Sequence, residues 1–139
     1  MANGSKVIKC SGYRWSGIDL REYKAADAPF KDVTRQTLLG EGEGEGEDGL
    51  PFVTRYFEVA PGGYTTLEQH QHPHTVIVVR GCGTAVLGEN SYEIGALDCV
   101  YVAPDTIHQF KATGREPLGF ICIVDRVRDR PTPITRPRG

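Results

Sequence analysis

Short apolar runs cut by glycine and proline dominate the second half of the chain. Phe52-Val53-Thr54-Arg55-Tyr56-Phe57-Glu58-Val59 reads as a strand ending at Pro61-Gly62-Gly63. Thr75 to Arg80 is β-branched and stops at Gly81, and Gly83 to Leu87 follows, closed by Gly88-Glu89-Asn90. Ser91 to Ile94, Asp98 to Val102, His108 to Ala112 and Leu118 to Val124 continue the series. No stretch between residues 50 and 125 repeats its apolar positions every 3.6 residues. Many short strands with turn signals between them predict an all-β sandwich or barrel spanning residues 51–126.

The first 50 residues pattern less clearly. Trp15 to Leu20 and Val33 to Leu39 are expected as edge strands, and Asp27 to Asp32 as a turn of helix. Gly40 to Asp48 alternates glycine with glutamate, so its carboxylates repel and nothing there can pack. It is expected to be a flexible acidic loop. Residues 127–139 carry repeated proline and arginine and are expected to form an extended, mobile tail.

Composition narrows the class. The 139 residues suffice for one domain with its own core. A net charge of −2 lacks the basic footprint of a nucleic-acid binder. No apolar run approaches a membrane span, and Met1 to Lys6 lacks the apolar core of a signal peptide, so a cytoplasmic location is expected. Four cysteines, Cys10, Cys82, Cys99 and Cys122, are scattered without a CxxC pair and are expected to be free thiols, with Cys99 and Cys122 buried as small hydrophobes.

The histidines carry the candidate chemistry. His70, His72 and His74 alternate behind Glu68, and His108 follows on a separate strand-like segment. Neutral imidazole offers a lone pair near neutral pH, which makes histidine the commonest metal-binding side chain. In a strand, residues of one parity share a face, so Glu68, His70, His72 and His74 point with Val76 and Val78 toward the interior. A straight strand would separate residues 70 and 74 by roughly 13 Å, too far for one ion at bond lengths of ~2.1 Å. The chain must therefore bend, and Pro73 marks the place.

These residues resemble the two motifs of the cupin superfamily. Its first motif is Gly, five residues, His-x-His, three or four residues, Glu, six residues, Gly. Gly62, Glu68, His70, His74 and Gly81 fit that frame end to end, with Glu68 at the first His, His74 at the Glu and His72 as an extra residue. A second frame takes His70 and His72 as the pair and leaves Val76 or Ile77 at the Glu position. Around His108 the second motif, Gly, five residues, Pro-x-Gly-x-x-His, three residues, Asn, is matched with Leu97, Ala103, Asp105 and Ala112 in place of Gly, Pro, Gly and Asn.

The resemblance covers about residues 52 to 125. It implies a cupin-type double-stranded β-helix, or jelly roll, and one divalent transition metal ion: iron, manganese, nickel, copper or zinc. His70, His74 and His108 are its expected ligands, with Glu68 or His72 as the fourth. The implied function is a metalloenzyme, dioxygenase-like, acting on a small organic substrate. A metal-dependent isomerase or lyase and a non-catalytic small-ligand binder are the alternatives. Open sheet edges suggest a homodimer.

Overall fold

The computed structural model describes residues 4–24, 28–40 and 49–135. The acidic run beyond Gly40 and the last four residues lie outside them. The strands, in chain order, are β1 (Cys10–Ser11), β2 (Arg14–Trp15), β3 (Arg21–Glu22), β4 (Lys31–Leu39), β5 (Phe52–Tyr64), β6 (Glu68–Gln69), β7 (His74–Arg80), β8 (Cys82–Leu87), β9 (Asn90–Gly95), β10 (Cys99–Val102), β11 (His108–Ala112), β12 (Leu118–Asp125) and β13 (Thr132–Pro133). No helix occurs among the described residues: of the turn of helix expected over Asp27 to Asp32, residues 28–32 are not helical and Asp32 already belongs to β4, while Asp27 lies outside the described residues.

All pairings are antiparallel. One sheet runs β10-β7-β12-β5 with β4 and β3 beyond, and the other joins β11 to β8 and β9 on one side and to β6 and β13 on the other. β5 links the two. Residues 52–59 pair with β12, whereas Tyr64 pairs with Lys111 of β11. Pro61 to Gly63, expected to end the strand, instead form the corner that carries the chain between sheets, with Gly62 at φ +81°. The result is an all-β barrel with β4 and β3 added at one edge; β1 and β2 pair in a separate hairpin, and the edge strand expected over Trp15 to Leu20 does not extend past Trp15.

Val53, Phe57, Val59, Val76, Val78, Val102, Phe110, Phe120, Cys122 and Val124 fill the interior. Both faces of β5 are covered. Odd residues face the core, while Tyr56, 1% exposed, lies on the other face. There it packs beneath Trp15 at 4.8 Å between ring centroids. Gln36 secures this arrangement by accepting the Trp15 N–H and donating to the Tyr13 carbonyl. Cys99 is exposed, contrary to expectation, because inward-facing Val100 and Val102 take the other parity of β10.

Gly119 leaves room for Tyr56. A Cβ there would stand 2.2 Å from the phenolic oxygen and 2.8 Å from Cζ. Tyr56 cannot retreat, since its hydroxyl donates to Glu58 and Trp15 lies above it. Gly119→Ala should therefore lower stability by about 1–3 kcal/mol, the usual cost of overpacking. Urea denaturation checks this; a midpoint within error of the parent's would contradict it.

Candidate metal centre

Between β6 and β7 the chain leaves extended geometry at residues 70–73, which supplies the bend that four convergent side chains require. β11 runs beside β6 with His108 directly opposite Glu68. The four imidazoles thus come together at one end of the barrel. His70 lies 4.5 Å from His74 and 4.7 Å from His108 between ring centroids, the latter pair edge-to-face at 75°. Donor atoms of Glu68, His70 and His108 fall within 4.8 Å of one another, as do those of His70, His72 and His74.

The backbone orients these rings. His70 Nδ1 is 2.6 Å from the carbonyl of His72, and His108 Nδ1 is 2.8 Å from that of Thr106. A carbonyl only accepts, so both Nδ1 atoms carry the proton and both Nε2 lone pairs are left for another partner. His70 Nε2 and His74 Nε2 are buried and without any hydrogen-bond partner. Burying such groups unpaired is costly, and a metal ion in their midst removes the cost. The donor set therefore fits a transition metal. Burial, then the neighbouring His108, pushes His70 down to about 4. The same two causes hold His74 far below the ordinary imidazole range, and burial lowers His108. The rings are neutral near pH 7, the state a ligand needs.

His72 plays a different part. Its ring stacks face to face on His70 at 3.7 Å and 5°. Rings stacked this way aim their lone pairs along separate parallel planes, so only one of the pair would hold an ion. Asp129 takes hold of His72 from behind: Oδ1 lies 2.7 Å from His72 Nδ1 and accepts the His72 N–H, while Oδ2 accepts the Gln71 N–H. Those bonds, the Gln71 amide first, draw the Asp129 carboxyl well below its usual range. Asp129 thus fixes the residue whose carbonyl fixes His70. Further on, β13 pairs with β6, and Ile134 donates to Leu67, so the segment read as a mobile tail is anchored beside the centre. Asp129→Ala should weaken metal affinity at least tenfold, the usual range for an outer partner, and speed amide exchange in residues 128–135. Chelator competition and hydrogen-exchange mass spectrometry read the two effects; unchanged affinity would show that the clasp is dispensable.

Glu68 is buried, and its carboxylate receives the Tyr23 hydroxyl at 3.3 Å and the Lys24 ammonium. Burial, and then the Glu68 charge, raises the Tyr23 phenol, which stays protonated. A carboxylate has about four lone-pair positions, so two bonds leave room for an ion. The centre opens into a cavity of about 160 Å³ walled by Phe57, Phe110 and Phe120. Cys122 and Arg55 also line it, and the sequence had marked Cys122 only as a buried small hydrophobe. Cys122 Sγ lies 3.5 Å from His74 Nδ1, and Arg55 Nη2 donates to it at 3.7 Å. Burial raises the thiol. Parity on β12, where Phe120, Cys122 and Val124 face inward, is the signal that finds Cys122. Tyr56 and Glu58 lie outside this cavity and form an outer network with Arg80.

Four glycine positions of the two motifs share one backbone conformation. Gly62 and Gly81 have φ of +81° and +68°. Leu97 and Asp105, which replace glycines of the second motif, keep left-handed backbone at +74° and +60°. The glycine positions of the frame that pairs Glu68 with His70 are therefore all turns of left-handed backbone, whatever residue occupies them.

A family profile described as the cupin domain matches residues 55–124. The chain belongs to the cupin family. A curated relative from Rhodospirillum rubrum, named 1-methylthio-D-xylulose 5-phosphate methylsulfurylase, is 44% identical over 122 residues, covering 87% of this chain and 74% of its own. The crystal structure of a cupin-2 domain from the same organism superposes with a TM-score of 0.78 at 43% identity, covering 94% of this chain and 84% of its own. A conserved barrel domain protein from Rhodopseudomonas palustris gives 0.81 at 41%, covering 94% and 87%. No helix among the described residues is long and apolar enough to cross a membrane.

Proposed function

We propose that this cupin is a mononuclear metalloenzyme that removes a methylsulfanyl group from a small phosphorylated sugar. Glu68, His70, His74 and His108 are the ligands in this reading, with His72 as the stacked support of His70. The observation that carries the reaction class is the Cys122 thiol inside the same cavity as the imidazoles. The name of the Rhodospirillum rubrum relative supplies the substrate class.

The bound ion would polarise the sugar carbonyl as a Lewis acid. The aromatic walls give the methylsulfanyl group a dry apolar place, and Arg55 faces the thiol it approaches. Release of methanethiol is a reduction: carbon keeps the C–S bonding pair and takes a proton, and two thiols become a disulfide. Cys122 is one of those thiols and a low-molecular-weight thiol the other. Incubation with 1-methylthioxylulose 5-phosphate and a thiol should release methanethiol from metal-loaded protein. Cys122→Ser should abolish the release while keeping the metal. Release at the parental rate from Cys122→Ser would overturn the assignment.

The dioxygenase expected from the resemblance uses the same donor set, and substrate-dependent oxygen consumption in that assay would favour it instead. The homodimer remains part of the proposal: β10, at the sheet edge, has β7 as its strand partner among the described residues, and sedimentation at micromolar concentration tests it.

A further inference from the structure

A second cavity, of about 230 Å³, lies against the first. Arg35, Thr37, Arg55, Arg126 and Arg128 line it, so four guanidinium groups and a hydroxyl meet around a small space. Three of them, Arg35, Arg55 and Arg128, also line the imidazole cavity. The sheet register brings this about. Thr37 of β4 stands directly opposite Arg55 of β5, and Arg35 opposite Phe57, all on the inward face. At the end of β12 the Arg126 N–H donates to the Pro51 carbonyl. Arg128 is clipped back onto the carbonyls of Asp125 and Arg126.

Arg55 is the informative residue. It projects into a barrel, over the Phe57 ring at 4.9 Å. Its guanidinium donates to the Cys122 sulfur, a weak acceptor, and its Nε is buried with no partner. The Thr37 hydroxyl across from it is also buried with no partner. A guanidinium drawn into a barrel without an ion pair is costly, and so is a buried hydroxyl without a partner. An anion with several acceptor oxygens answers both.

We propose that this cleft is a binding site for a phosphate monoester, continuous through Arg55 with the imidazole cavity. Guanidinium forks match the terminal oxygens of phosphate, and the Thr37 hydroxyl supplies one more donor. Arg55 touches both ends, one face on the phosphate and one amino group on the Cys122 thiol. Only a compact molecule fits, with its phosphate a few bonds from the reacting carbon. In naming that reacting end the inference rests on the function proposed above; the phosphate site itself does not.

Calorimetric titration of the metal-loaded protein at fixed ionic strength compares ribose 5-phosphate, inorganic phosphate and ribose. Both phosphates should bind and ribose should not. Arg126→Gln should weaken ribose 5-phosphate at least tenfold, since charged hydrogen bonds are among the strong ones. Thr37→Val, which keeps the volume, should weaken it several-fold. Unliganded melting temperatures near the parent's show that each variant folds. Failure of ribose 5-phosphate to bind, or full affinity in both variants, would overturn the site. Methanethiol release with an unchanged KM in both variants would also overturn it, leaving the proposed function in place. Phosphate binding that the variants weaken, with no methanethiol released by the parent, sustains the site and removes that function.

Discussion

His108→Ala is expected to lose metal more severely than any substitution between residues 70 and 74. Glu68, His70 and His74 come from one short segment, and His108 is the proposed ligand brought from β11, directly opposite Glu68. Its ring meets His70 at 75° and His74 at 65°, while the contiguous rings lie close to parallel. Without it the remaining donors lie on one side of the ion. Affinity should fall by more than about a hundredfold, beyond the range for outer partners. Glu68→Ala should follow closely. His72→Ala should cost much less, because the His72 carbonyl that holds His70 is backbone and survives. Metal analysis after competition with a chelator ranks the three. Full stoichiometric metal in His108→Ala, or a greater loss in His72→Ala than in Glu68→Ala, would sink the ligand assignment.

The metal-free protein should lose stability as pH falls from about 6.5 to about 4. In the folded chain His70 is pushed down to about 4, and His74 and His108 are lowered too. Unfolded histidine titrates near 6.5. Between the two values the unfolded chain binds more protons, so stability rises with pH there and is fully present above 6.5. His70 alone contributes on the order of 3 kcal/mol across the window, which is roughly 10 °C in melting temperature for a chain of this size. Bound metal should protect until protons displace it, giving a steeper transition at lower pH. Melts of chelator-stripped and loaded protein from pH 7.5 to 4.5 test this; a flat profile for the stripped protein would contradict it.

The barrel was legible because its strands are short, β-branched and punctuated by glycine and proline. The shared face of Glu68, His70, Val76 and Val78 followed from strand parity, and the bend at residues 70–73 from bond lengths. Parity failed on β5. Both of its faces are apolar there, since the barrel covers one and Trp15 and Tyr13 cover the other, so Tyr56 and Phe57 could not be told apart. Left-handed backbone at Leu97 and Asp105 was hidden because neither residue advertises it. Asp129 was invisible for another reason. Its bonds to Gln71 and His72 reach across 58 and 57 residues, and no local pattern carries such a contact. Arg55 and Cys122 meet across paired strands, so each looked like an ordinary strand residue alone.

The Asp129 clasp also sets an order of assembly. During synthesis the imidazole segment leaves the ribosome 57 residues before the carboxylate that steadies it. At ~5–20 residues per second the nascent chain spends several seconds with its histidines emerged and their retaining segment unmade. His108 and the whole of β12 also arrive within that interval. An ion captured early would meet a loose chelate of neighbouring imidazoles, and the full donor arrangement forms only once β11 and the Asp129 segment are in place. In the proposed centre, metal choice would therefore come late, after β12 and Asp129 have emerged, and would depend on which ions are exchangeable at that moment.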